Sequence, residues 1–316
     1  MINNLKEILQ IEVPIIQGGM GNISNATLTA AVSNAGGLGT IGAGTMPPDK
    51  VEKIILETKN KTTKPFAVNV AISVSPFTRD ILMLIIKHKV PVVSLSAGNP
   101  APLIPKLKEN GIKVICVVAS PKQAQKAENA GADILVAEGY EAAGINSNLE
   151  TTTMTLIPQI VQKVEIPVAA AGGIGDGRGL AAALSLGAQG VQMGTRLIAT
   201  KDAPFHANYK NMILQADDSG TVIVGRSVGR VRRVLQTPYA HLLLQKEKEG
   251  IDLEGFNNLT TEIQHIRGAM EGDLQNGFIN GGQISGAITT IPTVQELVES
   301  MVKEAKEQLN RASSLI

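Results

Sequence analysis

The stretch PVAAAGGIGDGRGLAAALSLGAQGVQMGTR, residues 167–196, decides the fold. It contains an apolar run, a glycine-rich turn, a helix-forming segment closed by Gly187, and a second apolar run that ends in another turn of small residues. Both apolar runs are continuous rather than alternating in hydrophobicity, which is typical of parallel strands buried on both faces. Two parallel strands with one crossover helix need about 30 residues, so the stretch predicts a strand–helix–strand unit.

The same unit recurs through the first 195 residues. Helix-forming segments end in a glycine just before the next apolar run, as at Gly36, Gly111 and Gly131, where a left-handed residue is expected. Eight units predict a (β/α)8 TIM barrel with the chemistry on the loops that follow the strands; a doubly wound open sheet is the alternative. The predicted strands start 20 to 34 residues apart and cover residues 14–17, 38–41, 66–72, 92–96, 113–118, 133–137, 167–171 and 190–194.

The pattern changes after the eighth strand. Residues 201–281 are polar and helix-like, and they contain three of the four histidines. We predict that residues 1–200 and 282–316 form the barrel and that residues 201–281 form a mostly helical insertion. This insertion could be a lid beside the catalytic face or a surface between the subunits of a homodimer. Apolar residues at helical spacing near the end of the chain predict a final helix that returns to the barrel.

Composition excludes several classes of protein. The 29 basic and 28 acidic residues give a net charge of +1, which argues against a nucleic-acid-binding protein. No apolar run reaches the ~18–20 residues that span a bilayer, and the first nine residues lack the apolar core of a secretory signal. The single cysteine, Cys116, lies in an apolar run and predicts a buried thiol, and the scattered histidines offer no metal-ligand spacing. We therefore expect a cytoplasmic protein that binds no membrane, nucleic acid or metal and uses an organic cofactor.

The loops after the seventh and eighth strands predict a phosphate site. Gly172 and Gly173 follow the seventh strand, and Gly194, Thr195 and Arg196 follow the eighth. Successive glycines allow backbone N–H groups to point into one concavity, and these two loops form the usual phosphate site of such barrels. The alternative is that the glycines only permit tight turns.

Small residues elsewhere predict room for a flat ring. Gly18 and Gly19 follow the first strand and bring the backbone close to such a ring, with Met20 as an apolar wall. Asn69 lies in the apolar third strand, where its amide could bond either a ring edge or the barrel backbone. The loops together predict a flat, phosphorylated cofactor.

Several motifs, in order along the chain, resemble the FMN-dependent nitronate monooxygenase family, and the enoyl-[acyl-carrier-protein] reductase II branch is the most similar. The reductase branch is favoured by QGGM after the first strand. The motifs are PIIQGGMGN (14–22), AGGLGTIG (35–42), PFAVNV (65–70), SAGNP (96–100), AEGYEAAG (137–144), AAGGIGDG (170–177), VQMGTR (191–196), HANYK (206–210) and GGQISG (281–286).

The resemblance implies FMN at the carboxyl end of the barrel and an NAD(P)H oxidoreductase that reduces an enoyl thioester through reduced FMN. Its substrate would be a small molecule or an acyl thioester, with acyl carrier protein as a partner and NADH or NADPH as the electron donor. Nitronate monooxygenase, which oxidises alkyl nitronates with O₂, is the alternative. The cofactor-binding residues implied are Gly18, Gly19, Met20, Asn69, Glu138, Gly139, Gly172, Gly173, Gly194 and Thr195.

The loop after the sixth strand departs from the family. Members usually have a histidine above the flavin, and Ile145 takes its place here; isoleucine can neither transfer a proton nor donate a hydrogen bond. The catalytic group is therefore unknown, and a flavin-binding protein with little catalysis is a second alternative. The candidates for the polar role are Asn146, Ser147, Tyr140 and a histidine of the insertion, among which His206 lies in a family motif; the alternative is that the substrate differs.

Four arginines give the neutral chain one basic segment. They form either a solvated face or a contact with a nicotinamide phosphate or an acidic carrier protein. The four are Arg226, Arg230, Arg232 and Arg233.

Overall fold

The computed structural model describes residues 4–316. Its strands are β1 (Ile15–Gln17), β2 (Gly39–Gly42), β3 (Phe66–Ala71), β4 (Val92–Ser96), β5 (Lys113–Val118), β6 (Ile134–Glu138), β7 (Gly144–Ile145), β8 (Val168–Ala171), β9 (Gly190–Met193), β10 (Thr221–Val224) and β11 (Arg232–Leu235). Its α-helices are α1 (Leu5–Leu9), α2 (Ala26–Asn34), α3 (Pro48–Lys61), α4 (Thr78–Lys87), α5 (Ile104–Glu109), α6 (Pro121–Asn129), α7 (Thr153–Val161), α8 (Gly177–Ser185), α9 (Thr195–Ile198), α10 (Ala207–Leu214), α11 (Pro238–Lys248), α12 (Leu253–Leu259), α13 (Glu262–Met270) and α14 (Val294–Ser313).

Eight parallel strands form the main sheet, in the order β1-β9-β8-β6-β5-β4-β3-β2. A parallel bridge between Ile16 and Leu38 joins the two outer strands and closes the sheet into a ring. The (β/α)8 barrel is confirmed, and the doubly wound open sheet is excluded. All eight predicted strands agree with the observed ones to within one residue at each end.

The helix-ending glycines have the backbone conformation that the sequence predicts. Gly36, Gly111, Gly131 and Gly187 have φ values of 89°, 72°, 99° and 95°. An L-residue with a side chain rarely adopts this region, so glycine closes each helix at little cost. The chain can then turn directly into the next strand.

Apolar side chains fill the barrel from inside and outside. Inward-facing residues of the strands, such as Ile16, Val92 and Ile134, form one cluster with Leu5 and Leu9 of α1. The short helix α1 therefore closes the amino-terminal end of the barrel. A second, larger cluster packs the outer face of the strands against the surrounding helices.

The segment 201–281 contains the helices α10 to α13, and it also contains an antiparallel hairpin that the sequence analysis missed. Strand β10 pairs with β11, and β11 pairs with β7, so that Arg232 lies opposite Ile145. This second sheet joins the segment to the loop after β6. The domain boundaries and the roles of lid and dimer surface stay predictions. Among residues 4–316, no helix is long and apolar enough to cross a membrane.

The final helix, α14, returns to the barrel as predicted. Its first turn has a capping box in which Thr293 accepts from the backbone N–H of Glu296 and the Glu296 carboxylate accepts from that of Thr293. Gly177 at the start of α8 brings the two helices together. A Cβ atom there would lie 2.5 Å from both the Cβ of Glu304 and the carbonyl oxygen of Met301.

We expect Gly177→Ala to lower the free energy of unfolding by about 1–3 kcal/mol, because the added methyl group would push α14 away from α8. Urea unfolding measures the change. Ser185→Ala, on the exposed end of α8, is the control and should change stability by less than about 0.5 kcal/mol. Equal stability of the Gly177 variant and the wild type would contradict the close helix contact.

Candidate active site

A cavity of about 990 Å³ lies at the carboxyl ends of the barrel strands. Its wall includes loops of the barrel, the β7 segment and residues of the insertion. Nine of the ten predicted cofactor-binding residues line this one cavity: Gly18, Gly19, Met20, Asn69, Glu138, Gly172, Gly173, Gly194 and Thr195.

The tenth residue, Gly139, is not part of the cavity lining. Its N–H donates to the carbonyl oxygen of Ala171 at 2.9 Å, and a Cβ atom there would collide with Thr153. Gly139 therefore allows close packing between the loop after β6 and the start of α7.

The floor of the cavity contains Asn69 and Gly19. The Asn69 amide nitrogen donates, each time at 3.2 Å, to the carbonyl oxygen of Ser94 and to the hydroxyls of Ser94 and Ser96. A Cβ atom on Gly19 would lie 2.5 Å from the Asn69 Oδ1. The Asn69 amide thus donates hydrogen bonds from its nitrogen to residues of the barrel strand β4, which is the second of the two possibilities given for Asn69 above. Its oxygen lies against the loop that was predicted to face a ring.

A glycine cradle lies across the cavity wall after β8 and β9. Gly172 and Gly173 have φ values of 100° and 72°, and a Cβ atom on Gly194 would meet nothing within 4 Å. Within residues 4–316, the N–H groups of Gly173 and Gly194 have no hydrogen-bond acceptor. The loops therefore offer unpaired donors beside open space, as an anion requires.

The two side chains that follow Gly194 differ in their roles. Thr195 lines the cavity, and its hydroxyl accepts from the N–H of Gly282 at 3.0 Å. Arg196 lies outside the lining and donates from Nη1 to the carbonyl oxygen of Thr290 at 3.0 Å. Its guanidinium therefore holds a loop and does not face the predicted phosphate site.

The side chain of Glu138, at the end of β6, has no hydrogen bond or ion pair within the described part of the chain. Its side chain lines the cavity, and burial raises its pKa from 4.5 to about 7. A carboxyl group with no partner in apolar surroundings favours its neutral form, because nothing compensates for the lost hydration of the charge. Near pH 7 a substantial fraction of Glu138 therefore carries a proton, whereas an ordinary glutamate is almost fully ionised.

Polar contacts fix the loop after β6. The Glu141 carboxylate accepts from the N–H of Thr153 at 2.9 and 3.0 Å and so anchors the loop to α7. The Tyr140 ring lies 5.7 Å from the guanidinium of Arg226 and 4.8 Å from that of Arg233. Arg233 also donates to the carbonyl oxygen of Tyr140 from two nitrogens, at 3.0 and 3.2 Å.

The basic segment is therefore only partly a solvated face. Arg226, which pairs with Glu150, and Arg233, which is buried, hold the loop after β6 to the insertion. Arg232 lines the cavity with its guanidinium 4.8 Å from the centre of the Phe278 ring. Arg230 is exposed.

Of the candidates for the missing polar group, some line the cavity and others lie outside it. Asn146 and Ser147 line the cavity together with Ile145, whose side chain is 51% exposed. The Asn146 amide nitrogen donates to the carbonyl oxygen of Ala142 at 2.8 Å. His206 lies outside the lining and caps α10, where its Nδ1 accepts from the N–H of Asn208 at 3.1 Å.

The histidine that the insertion does bring to the cavity is His265. It is buried, stacks on Phe278 at 5.2 Å, and contacts Glu262 through Nδ1 at 3.5 Å and the amide nitrogen of Asn280 through Nε2 at 3.1 Å. Both ring nitrogens are thus engaged. The sequence analysis named the histidines of the insertion only as a group. The Glu262–His265 spacing of three residues on a helix is the signal that could have singled this one out.

Glu262 links the insertion to the loop after β1. Burial acts to raise the pKa of Glu262. Its hydrogen bond with His265, the charged groups of His265 and Arg232, and a hydrogen bond from the backbone N–H of Asn22 act in the opposite direction. Together they outweigh burial and leave the pKa below its usual value. Glu262 therefore stays ionised, in contrast to Glu138. Cys116 also borders the cavity, and burial raises its pKa to about 12, as expected for an unreactive structural thiol.

Comparison with known proteins gives consistent matches over nearly the whole chain. The sequence model of the nitronate monooxygenase family matches residues 3–81 and 72–304. A probable nitronate monooxygenase of Staphylococcus saprophyticus is 34% identical, over 96% of this chain and 98% of the relative. An octahydro-indene-carboxyl-CoA dehydrogenase of Mycobacterium tuberculosis is also 34% identical, over 99% and 98% of the two chains. The structure of FabK from Thermotoga maritima is 44% identical with a TM-score of 0.94, over 99% and 98%.

We expect the free energy of unfolding of the wild type to fall relative to that of Glu138→Gln as the pH rises from about 4.5 to about 7. Between these values the unfolded chain loses the Glu138 proton while the folded chain keeps it, so the folded state binds more protons and loses stability with rising pH. The difference should reach about 2 kcal/mol, because water in the cavity screens part of the burial penalty.

Urea unfolding at several pH values measures this difference. The exposed Glu109, on α5, provides the control, and Glu109→Gln should follow the wild-type pH dependence. Parallel pH curves for the wild type and Glu138→Gln would show that Glu138 is ionised in the folded protein.

Proposed function

Because the chain belongs to the nitronate monooxygenase family, whose members are flavin-dependent oxidoreductases, we propose that it is an FMN-dependent NAD(P)H oxidoreductase that reduces an α,β-unsaturated acyl thioester. One observation carries the proposal: the residues expected at a flavin ring and those expected at its phosphate line one cavity at the barrel mouth. Its volume of about 990 Å³ is at the upper end of the ~300–1,000 Å³ typical of ligand sites.

The residues present fit FMN. The unpaired N–H groups of Gly173 and Gly194, with the Thr195 hydroxyl, match the oxygens of a phosphate. The oxygen of Asn69, whose nitrogen is held by Ser94 and Ser96, can accept a hydrogen bond from a ring edge. Met20 adds an apolar wall for a flat ring.

When bound, FMN would supply hydride transfer between a nicotinamide and the substrate. The chain would bind and orient both partners. Tyr209, His265 and Asn280 form a connected wall, in which Tyr209 donates to the carbonyl oxygen of Asn280 at 2.5 Å. These three residues line the cavity on the side of the insertion.

An acyl thioester suits the opening of the cavity. Ile145 and Val74 line it with side chains that are 51% and 37% exposed, so they offer apolar surface to an acyl group. Three further observations support an acyl thioester as the substrate. The loop after β1 has the sequence QGGM, the chain is similar to FabK, and it is similar to a dehydrogenase named for a carboxyl-CoA compound. The thioester would be carried by coenzyme A or by an acyl carrier protein.

Nitronate monooxygenase activity is the second candidate. The name of the family and that of the Staphylococcus saprophyticus relative favour it. In that reaction an alkyl nitronate would take the place of the nicotinamide as electron donor, and O₂ would accept the electrons.

Anaerobic mixing distinguishes the two functions. We expect the purified protein to be yellow, NADH or NADPH to bleach the flavin, and crotonyl-CoA to restore its colour. Bleaching by an alkyl nitronate but by neither nicotinamide would favour the monooxygenase. A protein that stays colourless after FMN is added would contradict both functions.

We expect Gly194→Leu to raise the Kd for FMN by a factor of ten or more, because the new side chain would occupy the open space beside Gly194 that the phosphate needs. Thermal unfolding of the apoprotein should change little, since a Cβ atom at this position meets nothing within 4 Å and the leucine side chain would extend into the open cavity. Gly194→Ala is the matched control and should bind FMN more tightly than the leucine variant. Wild-type affinity in the leucine variant would place the phosphate elsewhere.

A further inference from the structure

The proposed reduction needs a proton, and the family's histidine is replaced by Ile145. Among the described residues, Glu138 is the carboxyl group that lines the cavity without a hydrogen bond or ion pair. No neighbouring charge acts on it, since burial alone raises its pKa. A neutral carboxyl group has an O–H bond and can therefore donate a proton.

The other acidic groups and the histidine at the cavity are held by partners. Both oxygens of Glu141 accept from Thr153. Glu262 contacts His265, whose second nitrogen meets Asn280. Each of these groups would have to break a contact before it could reach a substrate.

The remaining titratable side chains are poor proton donors for different reasons. Tyr209 is fully buried, and burial raises its pKa well above the usual value. Cys116 is likewise buried with a raised pKa. The guanidinium of Arg232 does not release its proton in proteins, and Lys126 is exposed on α6.

We infer that Glu138 is the general acid of this site and gives its proton to the α-carbon of the thioester. The inference rests on the proposed function. Carboxyl ends of barrel strands are where such enzymes place catalytic side chains, and Glu138 is the last residue of β6. It would take over the role that residue 145 cannot perform.

A hydride that comes from NAD(P)H joins the β-carbon, and the electron pair of the carbon–carbon double bond moves toward the α-carbon and the thioester oxygen. The proton of Glu138 then forms the new bond at the α-carbon and leaves a carboxylate. Because that carboxylate is poorly solvated, it regains a proton from water when the saturated product leaves.

Stopped-flow measurement of the two half-reactions tests the assignment. Glu138→Gln keeps the shape of the side chain but cannot release a proton, so, per bound FMN, bleaching by NAD(P)H should change far less than re-oxidation. Re-oxidation of the flavin by crotonyl-CoA should be slower by about 100-fold or more, as for loss of a general acid. In the wild type, re-oxidation should slow as the pH rises above the pKa of Glu138, and the glutamine variant should lack this pH dependence.

Glu138→Asp, which restores an acid on a shorter side chain, should recover part of the rate, and Glu109→Gln should behave as the wild type. A wild-type rate and pH profile in Glu138→Gln would overturn the inference. An infrared band of a protonated carboxyl group, present in the FMN-loaded wild type and absent from Glu138→Gln, is a readout that does not depend on turnover. If crotonyl-CoA fails to re-oxidise the wild type, the proposed function fails, whereas absence of the infrared band rejects the role of Glu138 itself.

Discussion

The bridge between Ile16 and Leu38 closes the parallel sheet, and this closure determines where the functional side chains lie. In a closed ring of parallel strands, all carboxyl ends meet at one mouth, so loops that are more than 100 residues apart in sequence share one cavity. Asn69 and Gly194 become neighbours of the same space in this way. The opposite end is filled by Leu5 and Leu9 of α1, and the open space is therefore concentrated where the loops are.

Two glutamates at the cavity have opposite electrostatic tendencies. Glu262 is half-buried near Arg232, His265 and the N–H of Asn22, which together favour its carboxylate. Glu138 is half-buried without any such partner, and the lost hydration favours its neutral form. Two identical side chains at one cavity can thus serve as a fixed negative charge and as a source of protons, because their surroundings differ.

Local signals predicted the barrel, since continuous apolar runs and helix-ending glycines such as Gly187 depend on a few neighbouring residues. The hairpin of β10 and β11 was missed because its third strand, β7, lies about 76 residues earlier in the chain, and because Arg232 and Arg233 make β11 look like a polar surface segment. Nine of the ten predicted cofactor-binding residues line the cavity. The tenth, Gly139, lies behind the lining, where it allows close packing against Thr153. The contact of His265 with Asn280 depends on tertiary structure, and no spacing in the sequence displays it.

The contacts of Tyr140 with Arg226 and Arg233 hold the loop after β6 against the insertion. A loop transplanted from a histidine-bearing relative would keep these contacts only if it supplied an aromatic ring at position 140 and a strand that pairs with β11. The buried guanidinium of Arg233 would also need a backbone carbonyl oxygen in the place that Tyr140 now supplies. An engineered exchange of specificity within the family would therefore have to preserve the fit between both segments.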